Sequence, residues 1–205
     1  MLRGPGLAYG VAMATPLSPA SLTEAVPLLD GVLIRPAAES DAEALASAFR
    51  RSRDHLRPWE PRRPDSFFTT EGQRARLREQ AVEQRAGRVA AWLLTDGEAV
   101  VGGLTLSGIV RGPFRNAHLG YWIAAGQLGR GLATAAVHAA CQAADGELDL
   151  HRLQAGTLVH NTRSQRVLAK SGFEQFGRAE RYLHIDGAWR DHLLFHRVLN
   201  DRHPA

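Results

Sequence analysis

Apolar and polar positions begin to alternate regularly at residue 31, and the first predicted strand covers residues 32–36. Acidic residues at positions 41 and 43 follow Ser40, as at a helix N-terminus, and the predicted first helix runs to about residue 51. Prolines 58, 61 and 64 interrupt the next stretch, which we expect to be a loop or a broken helix. Thr69 or Thr70 then caps a long polar helix that ends near Gly87.

Two apolar runs, residues 88–95 and 98–106, flank Asp96-Gly97 and predict a hairpin. The pattern then indicates a strand at 118–123, a helix at 132–144, a strand at 151–158, a short helix at 162–171, extended segments at 173–180 and 182–185, and a last strand at 189–199. The predicted order, β-α-α-β-β-β-α-β-α-β-β, is that of an α/β (α+β) protein with a mixed, largely antiparallel sheet.

The domain organisation predicted from this pattern is simple. Glycines and prolines break up the apolar beginning of the chain, so residues 1–30 are predicted to be a poorly ordered extension, within which Met13 is an alternative start. Residues 31–200 form one predicted domain, and residues 201–205 form a short tail.

Composition narrows the function classes. The single cysteine, Cys141, allows no intrachain disulfide, which favours a reducing cytoplasm. The formal net charge of +4 is modest, so we expect no direct nucleic-acid binding. No apolar run approaches the roughly 20 residues of a membrane span, so no membrane association is expected. The nine histidines lack metal-ligand spacing, and no metal is predicted.

A glycine-containing loop, residues 127–131, leaves a strand and enters the helix predicted at 132–144. Gly129 and Gly131 would let the backbone approach a phosphate closely, and the free N–H groups of a helix's first turn favour an anion. The alternative is that the two glycines only form a tight turn. Leu132-Ala133-Thr134 after Gly131 excludes a Walker loop, and the missing third glycine argues against a dinucleotide fold.

Three motifs in this order resemble the Gcn5-related N-acetyltransferase (GNAT) superfamily, and within it the group typified by the RimJ and RimL ribosomal-protein N-terminal acetyltransferases. The first joins Tyr121-Trp122-Ile123 to the loop and helix at 128–136, although Leu128 stands where the family usually has glutamine. The second is the run at 161–173, with Asn161, Ser164, Lys170 and Gly172-Phe173. The third is the run at 186–192, which contains Trp189 and Asp191-His192. The resemblance covers about residues 31–199.

The resemblance implies the GNAT fold, with helices on both faces of a sheet that splays apart between the fourth and fifth predicted strands. It also implies acetyl-CoA as co-substrate. The cofactor-binding residues carried over are Tyr121, Trp122, Ile123, Leu128, Gly129, Arg130, Gly131, Leu132, Ala133, Thr134, Asn161, Ser164 and Lys170. Asn161 would contact the pantetheine, and Ser164 would lie near the sulfur and assist the departing thiolate.

The acceptor amine must lose a proton before it attacks the thioester, so a carboxylate base is expected. Glu180 is the first candidate, with Tyr182 two residues along the same strand as a further catalytic candidate. Glu60 is the rival base. Together with Trp59, it also belongs to the loop in which the resemblance places the acceptor.

The expected activity is transfer of an acetyl group to a primary amine, first of all the N-terminal α-amine of a protein such as a ribosomal protein. A small amine (an amino acid, polyamine or antibiotic) and a non-catalytic acyl-CoA-binding module are the alternatives. Either a monomer or a homodimer fits the sequence.

Overall fold

The computed structural model describes residues 23–203 and follows the predicted order of elements with one further strand at the start. The strands are β1 (Val26–Leu29), β2 (Val32–Pro36), β3 (Val89–Asp96), β4 (Ala99–Val110), β5 (Asn116–Ile123), β6 (Arg152–Leu158), β7 (Glu174–Ile185) and β8 (Ala188–Val198). The helices are α1 (Ala42–Arg51), α2 (Arg53–Leu56), α3 (Thr70–Arg85), α4 (Leu132–Gly146) and α5 (Thr162–Lys170). The short helix α2 lies in the segment predicted as a loop or a broken helix.

All eight strands form one sheet in the order β1-β2-β3-β4-β5-β6-β8-β7. Every neighbouring pair is antiparallel except β5 and β6, which are parallel. The Asp-Gly hairpin is present, with Asp96 paired to Ala99 and Gly97 at φ 56°. The predicted mixed, mostly antiparallel sheet is confirmed.

The parallel pair β5–β6 separates soon after it begins. Asn116, Ala117 and His118 pair with Arg152, Leu153 and Gln154, and no pairing follows along the rest of the two strands. These are the fourth and fifth strands of the sequence prediction, so the predicted splay lies where it was expected. Beyond His118, the edge of β5 that faces β6 therefore has no partner strand.

Helices cover both faces of the sheet, as predicted. On one face α4 packs against the strands and contacts α5, and Leu132 and Val137 of this helix are almost completely buried. On the other face α1 and α3 pack together, with Leu45, Phe49 and Leu77 buried against the sheet. Each such side chain stabilises the fold by about 1.5–3 kcal/mol through loss of water contact.

Strand β1 is the main difference from the predicted fold. Val26–Leu29 lies within the segment predicted to be a poorly ordered extension, yet it pairs with β2, and Val26 and Leu28 pack against the core. The sheet therefore begins at Val26 and not in the region of residue 31. The rest of the predicted extension, residues 1–22 with Met13, and residues 204–205 lie outside the described residues.

Within residues 23–203, no helix is both long and apolar enough to cross a membrane. The cytoplasmic location stays a prediction.

Candidate active site

A cavity of about 950 Å³ opens where β5 and β6 diverge. Residues 119–123 of β5 and 155–158 of β6 form two of its walls, and the first turns of α4 and α5 line it as well. Its volume lies at the upper end of the usual range for ligand and cofactor sites, roughly 300–1,000 Å³. The unpaired edge of β5 offers backbone donors and acceptors to an extended ligand that contains amide groups.

The N-terminus of α4 opens onto this cavity. Gly131 is its N-cap and adopts the left-handed conformation, with φ 80°. The first N–H groups of an α-helix have no acceptor within the helix, and no side chain caps this one. Gly131, Leu132, Ala133 and Thr134 all line the cavity. This is the geometry of a phosphate site, in which free N–H groups and the helix dipole stabilise negative charge.

The loop before α4 is tied down by side chains. Leu128 and Gly129 line the cavity, and Leu128 is 42% exposed. Arg130 lies outside the lining, because its guanidinium donates a hydrogen bond to the Gln127 side chain and another, at 3.4 Å, to the carbonyl oxygen of Asp30. The structure therefore makes Arg130 a brace between this loop and the β1–β2 turn.

Helix α5 contributes a second polar end and three cations. Asn161 is its N-cap and accepts a hydrogen bond from the Ser164 N–H at 3.1 Å. Arg163, Arg166 and Lys170 all line the cavity. Of these three cations, only Lys170 was among the predicted cofactor-binding residues. The spacing of three and then four residues places all three cations on one helix face, and this signal could have identified the two arginines.

Tyr121 on β5 and Ser164 on α5 are in contact at the cavity. The hydroxyl groups lie 2.7 Å apart, and the Tyr121 hydroxyl also donates to the Ser164 carbonyl oxygen at 3.2 Å. Burial raises the pKa of Tyr121 to about 12. The phenol therefore remains protonated at neutral pH and is available as a proton donor inside the cavity.

Trp59 and Glu60, which belong to the predicted acceptor loop, also line the cavity. The Trp59 ring lies 5.4 Å from the His160 ring, and the Glu60 carbonyl oxygen accepts a hydrogen bond from the Asp186 N–H at 3.1 Å. This bond holds the loop against the β7–β8 turn. Burial raises the pKa of Glu60, although the positive charges of Arg63 and Arg76 oppose the rise.

Glu180 and Tyr182 are separated by an irregularity in β7. Ala179 pairs with His192 and Leu183 with Arg190, so β7 contains two extra residues there, and Arg181 has φ 47°. The bulge interrupts the alternation on which the prediction relied. The Tyr182 ring lies against Gly156 and 5.5 Å from the His192 ring, and Glu180 is exposed. Neither Tyr182 nor Glu180 belongs to the cavity lining.

His192 also belongs to the site, although it was not among the predicted site residues and appeared only in the third family motif. Its side chain on β8 is 3% exposed and lines the cavity. Its Nδ1 lies 3.0 Å from the Arg190 carbonyl oxygen, which fixes the orientation of the ring. The motif was the available signal, because a histidine in a strand gives no indication by itself that it faces a cavity.

The site therefore combines a helix end suited to phosphate, an extended groove along an unpaired strand edge, and a buried hydroxyl pair. This is the arrangement of an enzyme that handles a long phosphorylated ligand.

The sequence profile of the "Acetyltransferase (GNAT) domain" family matches residues 32–174.

Comparison with individual proteins agrees with this match. The chain is 36% identical over 167 residues to the [Ribosomal protein uS5]-alanine N-acetyltransferase of Escherichia coli K12, covering 80% of this chain and 86% of the relative. It superposes on the ribosomal-protein-S5-alanine acetyltransferase of Vibrio fischeri with a TM-score of 0.84 at 33% identity, covering 88% and 99% of the two chains. RimJ of Mycobacterium smegmatis, solved in complex with CoA-disulfide, gives a TM-score of 0.81 at 33% identity, covering 85% and 86%.

The chain belongs to the GNAT acetyltransferase family. The predicted family and the predicted acyltransferase activity are confirmed, and the CoA bound to the mycobacterial relative agrees with the predicted co-substrate, acetyl-CoA.

Proposed function

We propose that this protein transfers the acetyl group of acetyl-CoA to the N-terminal α-amine of a protein, with ribosomal proteins as the first substrates to test. The observation that carries the proposal is that the phosphate-binding helix end and the acceptor-loop residues Trp59 and Glu60 line one continuous cavity. Two relatives of about one-third identity over most of the chain are named as alanine acetyltransferases of ribosomal protein S5.

Acetyl-CoA would lie along the splay. The first turn of α4 would bind the pyrophosphate through its N–H groups. Arg163, Arg166 and Lys170 would add positive charge for the phosphates. The pantetheine would follow residues 120–123 of β5, with Asn161 on the opposite side, and the thioester would then lie near the Tyr121–Ser164 pair.

In the transfer step, the amine nitrogen forms a bond to the thioester carbonyl carbon and the carbon–sulfur bond breaks. The amine proton passes to a base, and the departing sulfur takes a proton from the Tyr121–Ser164 pair. Glu60 is the base that the geometry supports over Glu180, because Glu60 lines the cavity and Glu180 is exposed. A carboxylate with a raised pKa is also a stronger proton acceptor than an ordinary one.

An α-amine suits this chemistry. Its pKa is about 7.7–8.0, so roughly a tenth of it is neutral at pH 7, whereas a lysine of pKa about 10.4 is almost wholly charged.

The test is CoA thiol release from acetyl-CoA with three acceptors: peptides with free N-termini, the same peptides with blocked N-termini, and a panel of small amines. Release only with free N-termini supports the proposal. Faster release with small amines, or acetyl-CoA binding without any release, contradicts it.

A further inference from the structure

A second, smaller cavity of about 260 Å³ lies on the face of the sheet covered by α1 and α3. It shares Glu60 and residues 120–122 with the larger cavity, so the two meet at the acceptor side of the site. We call it the arginine pocket, because Arg63 and Arg76 line it with Glu60.

Both guanidinium groups in the arginine pocket are held in place. Gln73 is completely buried; it donates to the Phe67 carbonyl oxygen at 2.6 Å and accepts a hydrogen bond from Arg76 Nη1 at 3.1 Å. The Phe67 ring lies 5.7 Å from the Arg76 guanidinium carbon and 4.7 Å from that of Arg63. The hydrogen bond to Gln73 orients Arg76, the Phe67 ring packs against both cations, and most of their N–H donors stay free for a ligand.

The charges in the arginine pocket do not balance. Arg76 has no carboxylate within 4.0 Å among the described residues, and the nearest charge contact in the pocket, Arg63 Nε to Glu60 Oε2, is 3.9 Å long. Two cations therefore face one carboxylate. Burial and the neighbouring Arg63 lower the pKa of Arg76, in keeping with a cation that lacks a close partner.

Holding two like charges in a partly buried pocket is unfavourable unless an anion neutralises them. We propose that the arginine pocket binds a carboxylate of the acceptor, supplied by an aspartate or glutamate close to the N-terminus that is acetylated. This rests on the proposed function. Because an extended chain advances about 3.3–3.6 Å per residue, the second to fourth residues lie within roughly 11 Å of the first and are the positions in reach. Guanidinium recognises carboxylate by paired hydrogen bonds, so the pocket selects the acceptor by charge.

The experiment measures kcat/KM by CoA thiol release with peptide amides of about six residues, whose blocked C-termini leave side chains as their only carboxylates. Each peptide carries glutamate or glutamine at the second, third or fourth position. The wild type is expected to prefer glutamate by about 10- to 100-fold at one of these positions, the range typical of a charge-assisted hydrogen bond. The preference should appear in the peptide KM and leave the acetyl-CoA KM unchanged.

Arg76→Gln removes the charge and keeps a donor, so the preference should fall below about threefold. Arg78→Gln is the matched control, because Arg78 lies on the same helix but is exposed and paired with Glu39. It should retain the full preference. Arg63→Gln is the second variant and replaces Arg76→Gln if that protein does not fold, as judged by its thermal transition.

Equal rates for glutamate and glutamine peptides at all three positions in the wild type would overturn the carboxylate site. So would a preference that survives both Arg76→Gln and Arg63→Gln. If no peptide is acetylated, the proposed N-terminal function fails separately, and small amines are compared with and without a carboxylate. A preference for the amine with a carboxylate that depends on Arg76 would then still support carboxylate binding in the arginine pocket. The absence of such a preference would refute carboxylate binding there as well.

Discussion

Gly131 is the residue of the proposed phosphate-binding loop whose conformation gives the clearest prediction. With φ 80°, it occupies the left-handed region, which disfavours any side chain by about 1–2 kcal/mol. A Cβ at this position would meet Leu29 Cδ2 at 3.5 Å, an ordinary contact, so backbone strain is the main consequence of Gly131→Ala. Relief of that strain would rotate the first N–H groups of α4 away from a bound phosphate. Loss of one hydrogen bond to a charged group is worth about 1.5–3 kcal/mol, or roughly tenfold or more in the Kd for CoA.

Gly112→Ala is the matched control. Gly112 has φ 68°, no atom lies within 4 Å of a Cβ placed there, and it is outside the cavity lining. Both variants should lose about 1–2 kcal/mol of unfolding free energy, which lowers Tm by about 2–8 °C. Calorimetric titration should show weaker CoA binding for Gly131→Ala alone. Unchanged CoA affinity in a folded Gly131→Ala protein would refute the assignment of the phosphate to this loop.

Four further predictions concern the cavity and the buried cysteine. Glu60→Gln should lower kcat by about 10²- to 10⁴-fold, whereas Glu180→Gln should lower it by less than about threefold. A larger loss of kcat for Glu180→Gln than for Glu60→Gln would indicate Glu180 as the base. Burial raises the pKa of Glu60 in the folded protein. The protonated carboxyl therefore favours the folded state below the unfolded pKa, and this stabilisation is lost as pH rises through the folded-state pKa and the carboxyl ionises. Urea unfolding should therefore show Glu60→Gln gaining stability relative to wild type as pH rises above about 4, and a loss of relative stability as pH rises contradicts the burial argument. Tyr121→Phe and Ser164→Ala should each reduce kcat and the free energy of unfolding. The double variant should be little worse than either single variant, because both remove the same hydrogen bond. Strictly additive losses would show that the two hydroxyl groups do not act as a unit. Burial raises the pKa of the Cys141 thiol to about 11. The thiol should therefore stay unreactive toward a disulfide reagent near pH 8 until the protein is unfolded. Rapid labelling of the folded protein would contradict its burial.

Local sequence signals predicted most of the fold. The Asp96-Gly97 turn, the Thr69 cap of α3 and the helix end at Gly172 each depend on a few adjacent residues, and all are present. The family motifs located the splay as well, since they identify the strand and helix on each side of it.

The features that the sequence did not reveal depend on contacts between distant parts of the chain. Strand β1 has only four residues and is defined by its pairing with β2. The bulge at Arg181, held by a hydrogen bond from its N–H to Asp191 at 3.0 Å, separates Glu180 from Tyr182, and neither side chain lines the cavity. The arginine pocket combines the loop before α3 with α3 itself, so its excess charge became visible only in the folded structure.

The most direct test of N-terminal acetylation uses one peptide that contains both a free α-amine and an internal lysine. The peptide is incubated with the protein and acetyl-CoA, and fragmentation mass spectrometry then locates the acetyl group. We expect acetylation of the α-amine alone, because its pKa of about 7.7–8.0 leaves a usable neutral fraction and lysine's, near 10.4, does not. Acetylation of the lysine side chain, or an unmodified peptide under conditions in which a small amine is acetylated, would contradict the proposed function.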